Sequence, residues 1–76
     1  MRKSIECIVY LGENHYVGEC LDFPVVTQSK SIDQTIVNLR KAIALHIEDE
    51  NLELLGFVKS PDIDIKVETG KLVDVQ

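Results

Sequence analysis

Two apolar stretches near the amino terminus are rich in β-branched and aromatic residues, as strands are. The first runs from Ser4 to Leu11 (SIECIVYL) and the second from Tyr16 to Cys20 (YVGEC), with the polar break GENH between them. If Glu13 and Asn14 are the two central turn residues, the strands form an antiparallel hairpin. The facing residues in this register are Leu11 with Tyr16, Val9 with Gly18, and Cys7 with Cys20.

The predicted hairpin has two unlike faces. One face is expected to be the core, and its small residues would let a helix lie close; it comprises Ile5, Cys7, Val9, Leu11, Tyr16, Gly18 and Cys20. The other face is too apolar for a fully solvated surface and too charged for a second core; it comprises Glu6, Ile8, Tyr10, Val17, Glu19 and Leu21. This second face is either an interface or the ordinary back of a sheet with scattered exposed apolar groups.

A third strand and a helix follow the hairpin. The segment LDFP predicts a turn, because Pro24 cannot donate to a strand ladder, and the third strand is expected at Val25–Gln28. Ser31 is the predicted N-cap of the helix, with Gln34 completing a capping box. The apolar stripe of this helix is Ile32, Ile36, Leu39, Ile43 and Ile47.

The end of the helix is ambiguous in the sequence. The acids of EDEN (48–51) suit a helix carboxyl terminus poorly, because the dipole is negative there. We therefore expect them in mid-helix, or in the first turn of a second short helix that ends near Leu55 and stops at Gly56.

The alternating run DIDIKVE after Pro61 predicts a further strand with Ile63, Ile65 and Val67 on one side. Thr69 and Gly70 could turn the chain into a last short strand, KLVDV, or this tail could reach a neighbouring subunit. Residues 1–76 are expected to form a single domain of the α+β class. Its elements follow the order β-β-β-α-β, with a small antiparallel sheet and one main helix packed on one face.

Size and charge narrow the possible partners. A chain of 76 residues buries a small core, so a homodimer or a higher homo-oligomer is expected. The net charge of -5 repels phosphate backbones and favours a basic protein partner, so direct nucleic-acid binding is not expected. No apolar run approaches the roughly 20 residues that span a bilayer, and the start MRKSIEC does not have the form of a secretory signal. We expect a cytoplasmic protein with no membrane contact.

No catalytic or metal-binding pattern stands out. Cys7 and Cys20 match no zinc or thioredoxin spacing and are expected to be buried thiols. His15 and His46 have no ligand-type neighbour at helical spacing, and there is no glycine-rich phosphate loop. Glu6, Glu48 and Asp64 could hold a divalent metal only if they converged, and a solvated acidic surface is the preferred interpretation. We expect no enzymatic activity and no cofactor.

The segment YVGECLDFP followed by SIDQTIVNLRKAIALHI resembles the HicB antitoxin family in the order and spacing of its residues. The matching positions are Tyr16, Val17, Pro24, Ser31, Ile32, Ile36, Asn38, Leu39, Ala42, Ile43, Leu45 and Ile47. The resemblance implies a partial ribonuclease H-like domain without catalytic activity that binds and masks a small basic ribonuclease toxin, HicA. Many members of the family also carry a carboxyl-terminal DNA-binding segment. We expect a short form without that segment here.

Two functions remain open after this comparison, beside a third, degenerate nuclease activity, which would require metal-dependent cleavage of RNA. The first is an antitoxin-like module that neutralises a HicA-like toxin, with the partner-binding residues expected at Tyr16, Glu19, Asp22, Phe23 and Pro24. Phe23 is either an exposed aromatic anchor or a side chain that tucks back over the sheet edge. The second function is a stand-alone HicB-like oligomeric adaptor or ligand-binding domain with no toxin partner.

Overall fold

Four strands and one helix follow one another in the predicted order β-β-β-α-β in the computed structural model, which describes residues 1–68. The elements are β1 (Arg2–Leu11), β2 (Tyr16–Cys20), β3 (Val26–Ser29), α1 (Ile32–Ile47) and β4 (Phe57–Val67). The chain is therefore a small α+β protein with one helix against a four-stranded sheet. The further strand predicted within residues 71–75 lies outside the described residues.

The hairpin of β1 and β2 has the predicted register. Leu11 pairs with Tyr16 and Cys7 pairs with Cys20, and the Gly12 N–H donates to the His15 carbonyl at 2.8 Å across the turn. The predicted core face is buried at Ile5, Cys7, Val9, Gly18 and Cys20. The exceptions are Leu11, which is 58% exposed, and Tyr16, which is half-buried; the two pair with each other at the end of the hairpin.

The sheet has the strand order β3-β2-β1-β4 and is mixed. Strands β1, β2 and β3 form an antiparallel meander, whereas β4 pairs with β1 in parallel. The prediction of an antiparallel sheet was therefore wrong for β4. The reason is geometric: α1 carries the chain back along the sheet after β3, so that β4 runs in the same direction as β3 and β1.

Helix α1 packs on one face of the sheet, over β2 and β3, and contacts β4 little. Leu39 and Ile43 of the helix are fully buried against Ile5 and Val9 of the sheet. Gly18 makes this close approach possible, because a Cβ atom there would lie 3.0 Å from the Thr35 methyl carbon. The prediction of small residues beneath the helix is confirmed at this position.

The helix begins with half of the predicted capping box. Ser31 is the N-cap and its Oγ accepts a hydrogen bond from the Gln34 N–H at 3.0 Å. The Gln34 side chain donates forward to Asn38 instead of returning to Ser31, whose N–H donates to the Ser29 Oγ. Ser29 therefore accepts the hydrogen bond from the Ser31 N–H that the capping box would have given to the Gln34 side chain.

The helix ends at Ile47, so the prediction that the acids at 48–50 lie in mid-helix was wrong. They follow the last helical turn, and the chain then makes one hydrogen-bonded turn in place of the predicted second helix. The Asn51 side chain accepts from the Leu54 N–H at 3.2 Å at the start of this turn. Gly56 ends this turn with a φ of +91°, so it is a stop for the turn and not, as predicted, for a helix. The only helix in residues 1–68 is not long and apolar enough to cross a membrane.

Candidate functional site

The sheet face opposite α1 carries a band of apolar side chains. We call it the open face, because the one helix of residues 1–68 packs on the other side. Ile8, Tyr10 and Val17 are half-buried there by their neighbours on the strands, and Val26 on β3 is 67% exposed. A sheet face with this much apolar surface is typical of a site that another polypeptide covers.

Acidic side chains flank the apolar band of the open face. The pairing of β1 with β2 and β4 places four carboxylates and one ammonium on this face: Glu6, Glu19, Asp62, Asp64 and Lys66. The Tyr10 hydroxyl donates to Glu19, and this hydrogen bond is the main cause of the raised pKa of Tyr10. The excess of carboxylates makes the open face complementary to a basic surface.

An ion pair lies at the end of the sheet where β1 begins. The Arg2 guanidinium binds the Asp22 carboxylate with two hydrogen bonds, of 2.6 and 2.9 Å, and the Glu6 N–H donates to the same carboxylate at 2.9 Å. The hydrogen bond from Arg2, and then that from Glu6, lower the pKa of Asp22. Asp22 is therefore held by three donors of its own chain and has little capacity for a new partner.

Aromatic side chains lie next to this ion pair. Phe23 stacks on Phe57 with ring centroids 5.8 Å apart and contacts the His46 ring at 5.2 Å. The Arg2 guanidinium lies 4.7 Å from the centre of the Phe57 ring. Phe23 is only 8% exposed, so its side chain tucks back toward the sheet and is not an exposed aromatic anchor.

The five predicted partner-binding residues do not form one surface. Glu19 lies on the open face, whereas Tyr16 lies on the helix side at the other end of β2. Asp22, Phe23 and Pro24 lie in the loop between β2 and β3, and of these three only Pro24 is exposed. Their role in binding a partner stays a prediction. Of the five, only Glu19 lies among other exposed and half-buried groups of the open face.

The buried thiols form a pair between the strands. Cys7 and Cys20 face each other and both are free. Burial, followed by the proximity of Cys20, raises the pKa of Cys7 to about 12. A thiol with this pKa is almost fully protonated at neutral pH, so it is a poor nucleophile and a poor metal ligand. Among residues 1–68 no three side chains of His, Cys, Asp or Glu converge as metal ligands would.

In comparisons with known proteins, no family model, no curated protein and no solved structure matches the chain. The resemblance to HicB antitoxins therefore stays a prediction.

Sequence reasoning missed the residues that support the loop after β2. Arg2 and Phe57 were assigned to no element, yet they hold Asp22 and Phe23 in place. The one local signal was at Phe57, a large apolar residue directly after the predicted stop at Gly56. Thr35, fully buried with its Oγ1 donating to the Ser31 carbonyl at 2.8 Å, was also missed.

Proposed function

We propose that this chain is an antitoxin-like binding module that neutralises a small basic HicA-type ribonuclease toxin by masking its substrate surface. In this proposal the sheet and α1 form the partial ribonuclease H-like arrangement of HicB proteins. The module has no catalytic activity of its own and works in the cytoplasm, where such a toxin would meet its RNA.

The observation that carries the proposal is the open face. Its apolar band of Ile8, Tyr10, Val17 and Val26 lies on the side of the sheet away from α1. Burying such groups against a partner supplies the non-directional part of a binding free energy, at about 25 cal/mol per Å². A module of this size has few other uses for an apolar sheet face that its helix does not cover.

Charge supports a basic partner. The open face carries four carboxylates against Lys66, and the whole chain has a net charge of -5. A toxin that binds RNA must present basic groups to phosphates, and the same groups would be attracted to this acidic face. Association should therefore be fast at low salt and should slow as salt screens the charges.

The test is co-expression of the chain with the product of the neighbouring gene, followed by pull-down and a growth-rescue assay. The informative variant is Glu19→Lys with Val26→Lys on the open face. The matched control is Glu53→Lys with Val37→Lys, at exposed positions off the open face. The two variants replace the same residue types and change the net charge equally.

We expect the open-face variant to bind at least tenfold more weakly and to lose growth rescue, while the control variant keeps both. Circular dichroism verifies that both variants fold. Equal weakening in the two variants would show that overall charge, and not the open face, drives binding. Failure of the wild-type chain to bind or rescue would reject the antitoxin function.

The alternative, a stand-alone oligomeric adaptor, is favoured by a different observation. The outer edge of β4 has no partner strand among residues 1–68, and an exposed strand edge is a ready site for association.

A further inference from the structure

Strand β4 lies at the edge of the sheet and exposes backbone groups along one side. The Glu68 N–H donates to the Val9 carbonyl at 2.8 Å, so the even-numbered residues of β4 bond to β1. In a parallel ladder the alternate residues then direct their N–H and C=O groups away from β1. These outward groups belong to Ile63, Ile65 and Val67, and no strand within the described part of the chain takes them up.

The edge is also partly apolar on the helix side. The side chains of Ile63, Ile65 and Val67 point to the face on which α1 packs, but the helix lies over β2 and β3. As a result Ile63 and Ile65 are only half-buried and Val67 is 43% exposed. The six residues from Asp62 to Val67 extend for about 20 Å, the length of an ordinary strand.

We propose that two copies of the chain pair through β4 in antiparallel fashion, with Ile65 facing Ile65 of the second copy. The two sheets then join into one continuous sheet across a two-fold axis. This proposal does not depend on the antitoxin function, because it leaves the apolar band of the open face free.

The charge pattern of β4 selects this register. With Ile65 at the axis, Asp64 faces Lys66 of the second copy, and by symmetry Lys66 faces Asp64, which gives two attractive cross-strand pairs. The neighbouring registers that keep the outward groups paired are centred on Asp64 or on Lys66. They place two carboxylates or two ammonium groups opposite each other at the axis.

The same register has one unfavourable pair at each end. Asp62 faces Glu68 of the second copy, and both side chains are exposed at the rim, where salt screens their repulsion. On the helix side Ile63 faces Val67 of the second copy, so apolar groups that the helix leaves partly uncovered become buried. The proposed pairing therefore satisfies the backbone edge, the central charges and the apolar side chains together.

Charge swaps in the full chain test the proposal by sedimentation equilibrium. Asp64→Lys alone places two ammonium groups opposite each other at both of these cross-strand pairs. Lys66→Asp alone places two carboxylates opposite each other at both pairs. We expect each single swap to raise the dimer dissociation constant about tenfold or more. The double variant restores both attractive pairs in inverted order, keeps the wild-type net charge of -5, and should return to the wild-type constant.

A second measurement tests the register directly. Ile65→Cys places two thiols opposite each other at the axis and should give a disulfide-linked dimer on mild oxidation. Val67→Cys is the matched control, because Val67 faces Ile63 of the second copy and should stay uncrosslinked. Circular dichroism confirms that each variant folds.

Three results would overturn the proposal. The first is a strictly monomeric wild-type chain at high concentration. The second is a dimer whose dissociation constant ignores both single swaps, which would place the contact on another surface. The third is a disulfide-linked dimer of the Val67→Cys variant and none of the Ile65→Cys variant, which would reject the register.

Discussion

Gly18 is the position at which a single methyl group should do most to separate α1 from the sheet. An added Cβ would lie 3.0 Å from the Thr35 methyl carbon and 3.2 Å from a Leu39 methyl carbon. Thr35 cannot easily rotate away, because its Oγ1 is hydrogen-bonded to the Ser31 carbonyl and to the Ser29 Oγ, at 2.8 and 2.9 Å. Gly18→Ala therefore forces either the helix to shift or these hydrogen bonds to break.

The expected cost follows from two opposing effects. Overpacking a well-filled core costs about 1–3 kcal/mol. Replacing glycine by alanine recovers about 0.4–1 kcal/mol through the lower entropy of the unfolded chain. We expect Gly18→Ala to lower the free energy of unfolding by about 0.5–2 kcal/mol, and Tm by about 4–8 °C for each kcal/mol.

A double-mutant cycle identifies the cause. Thr35→Ser removes the methyl group nearest to the new Cβ and keeps the hydroxyl with its hydrogen bonds. Urea unfolding followed by far-ultraviolet circular dichroism gives the free energies. In the Thr35→Ser background we expect Gly18→Ala to cost about 1 kcal/mol less than in the wild-type chain. A stabilising Gly18→Ala, or an equal cost in both backgrounds, would refute the close approach of helix and sheet at this point.

Three further predictions concern the ion pair, the thiols and the helix cap. Because the pKa of Asp22 is lowered in the folded state, its pair with Arg2 stabilises the protein above the ordinary pKa of 3.8, and this stabilisation is lost as the pH falls below 3.8. In the Asp22→Asn variant the free energy of unfolding should therefore depend less on pH in that range. An unchanged pH profile would contradict this. Because Cys7 and Cys20 are both buried, and burial raises the pKa of Cys7 to about 12, the two thiols should react slowly with a thiol reagent at pH 8 in the folded protein and rapidly in urea; fast native labelling would contradict their burial. Ser31→Ala should cost about 1 kcal/mol in urea unfolding while Ser31→Gly costs a few tenths, and equal costs would show that the cap hydrogen bond contributes little.

Local patterns were sufficient to predict the hairpin. A short polar turn between two runs of β-branched and aromatic residues leaves few possible registers, and the facing residues from Cys7 to Leu11 on β1 are those expected. The N-cap at Ser31 was also predicted, because it depends on one residue and its immediate neighbours.

Features that depend on distant residues were not predicted. Alternation in β4 shows which side chains are buried but not the direction of the strand, which the path of α1 decides. The contacts of Asp22 with Arg2 and of Phe23 with Phe57 join residues far apart in the chain, so nothing local marks them. For the same reason the loop after β2 was predicted as a partner-binding segment, although the structure anchors Asp22 and Phe23 to their own chain.

The central position of β1 governs when the protein can fold. Of the five elements in residues 1–68, β1 is synthesised first, whereas its neighbour β4 is synthesised last. Joining Ser4 to Asp62 closes a loop that spans most of residues 1–68, which is the kind of non-local contact that slows folding. Until β4 has been synthesised, a nascent chain therefore exposes one bare edge of β1, and its vulnerability to aggregation is greatest in that interval.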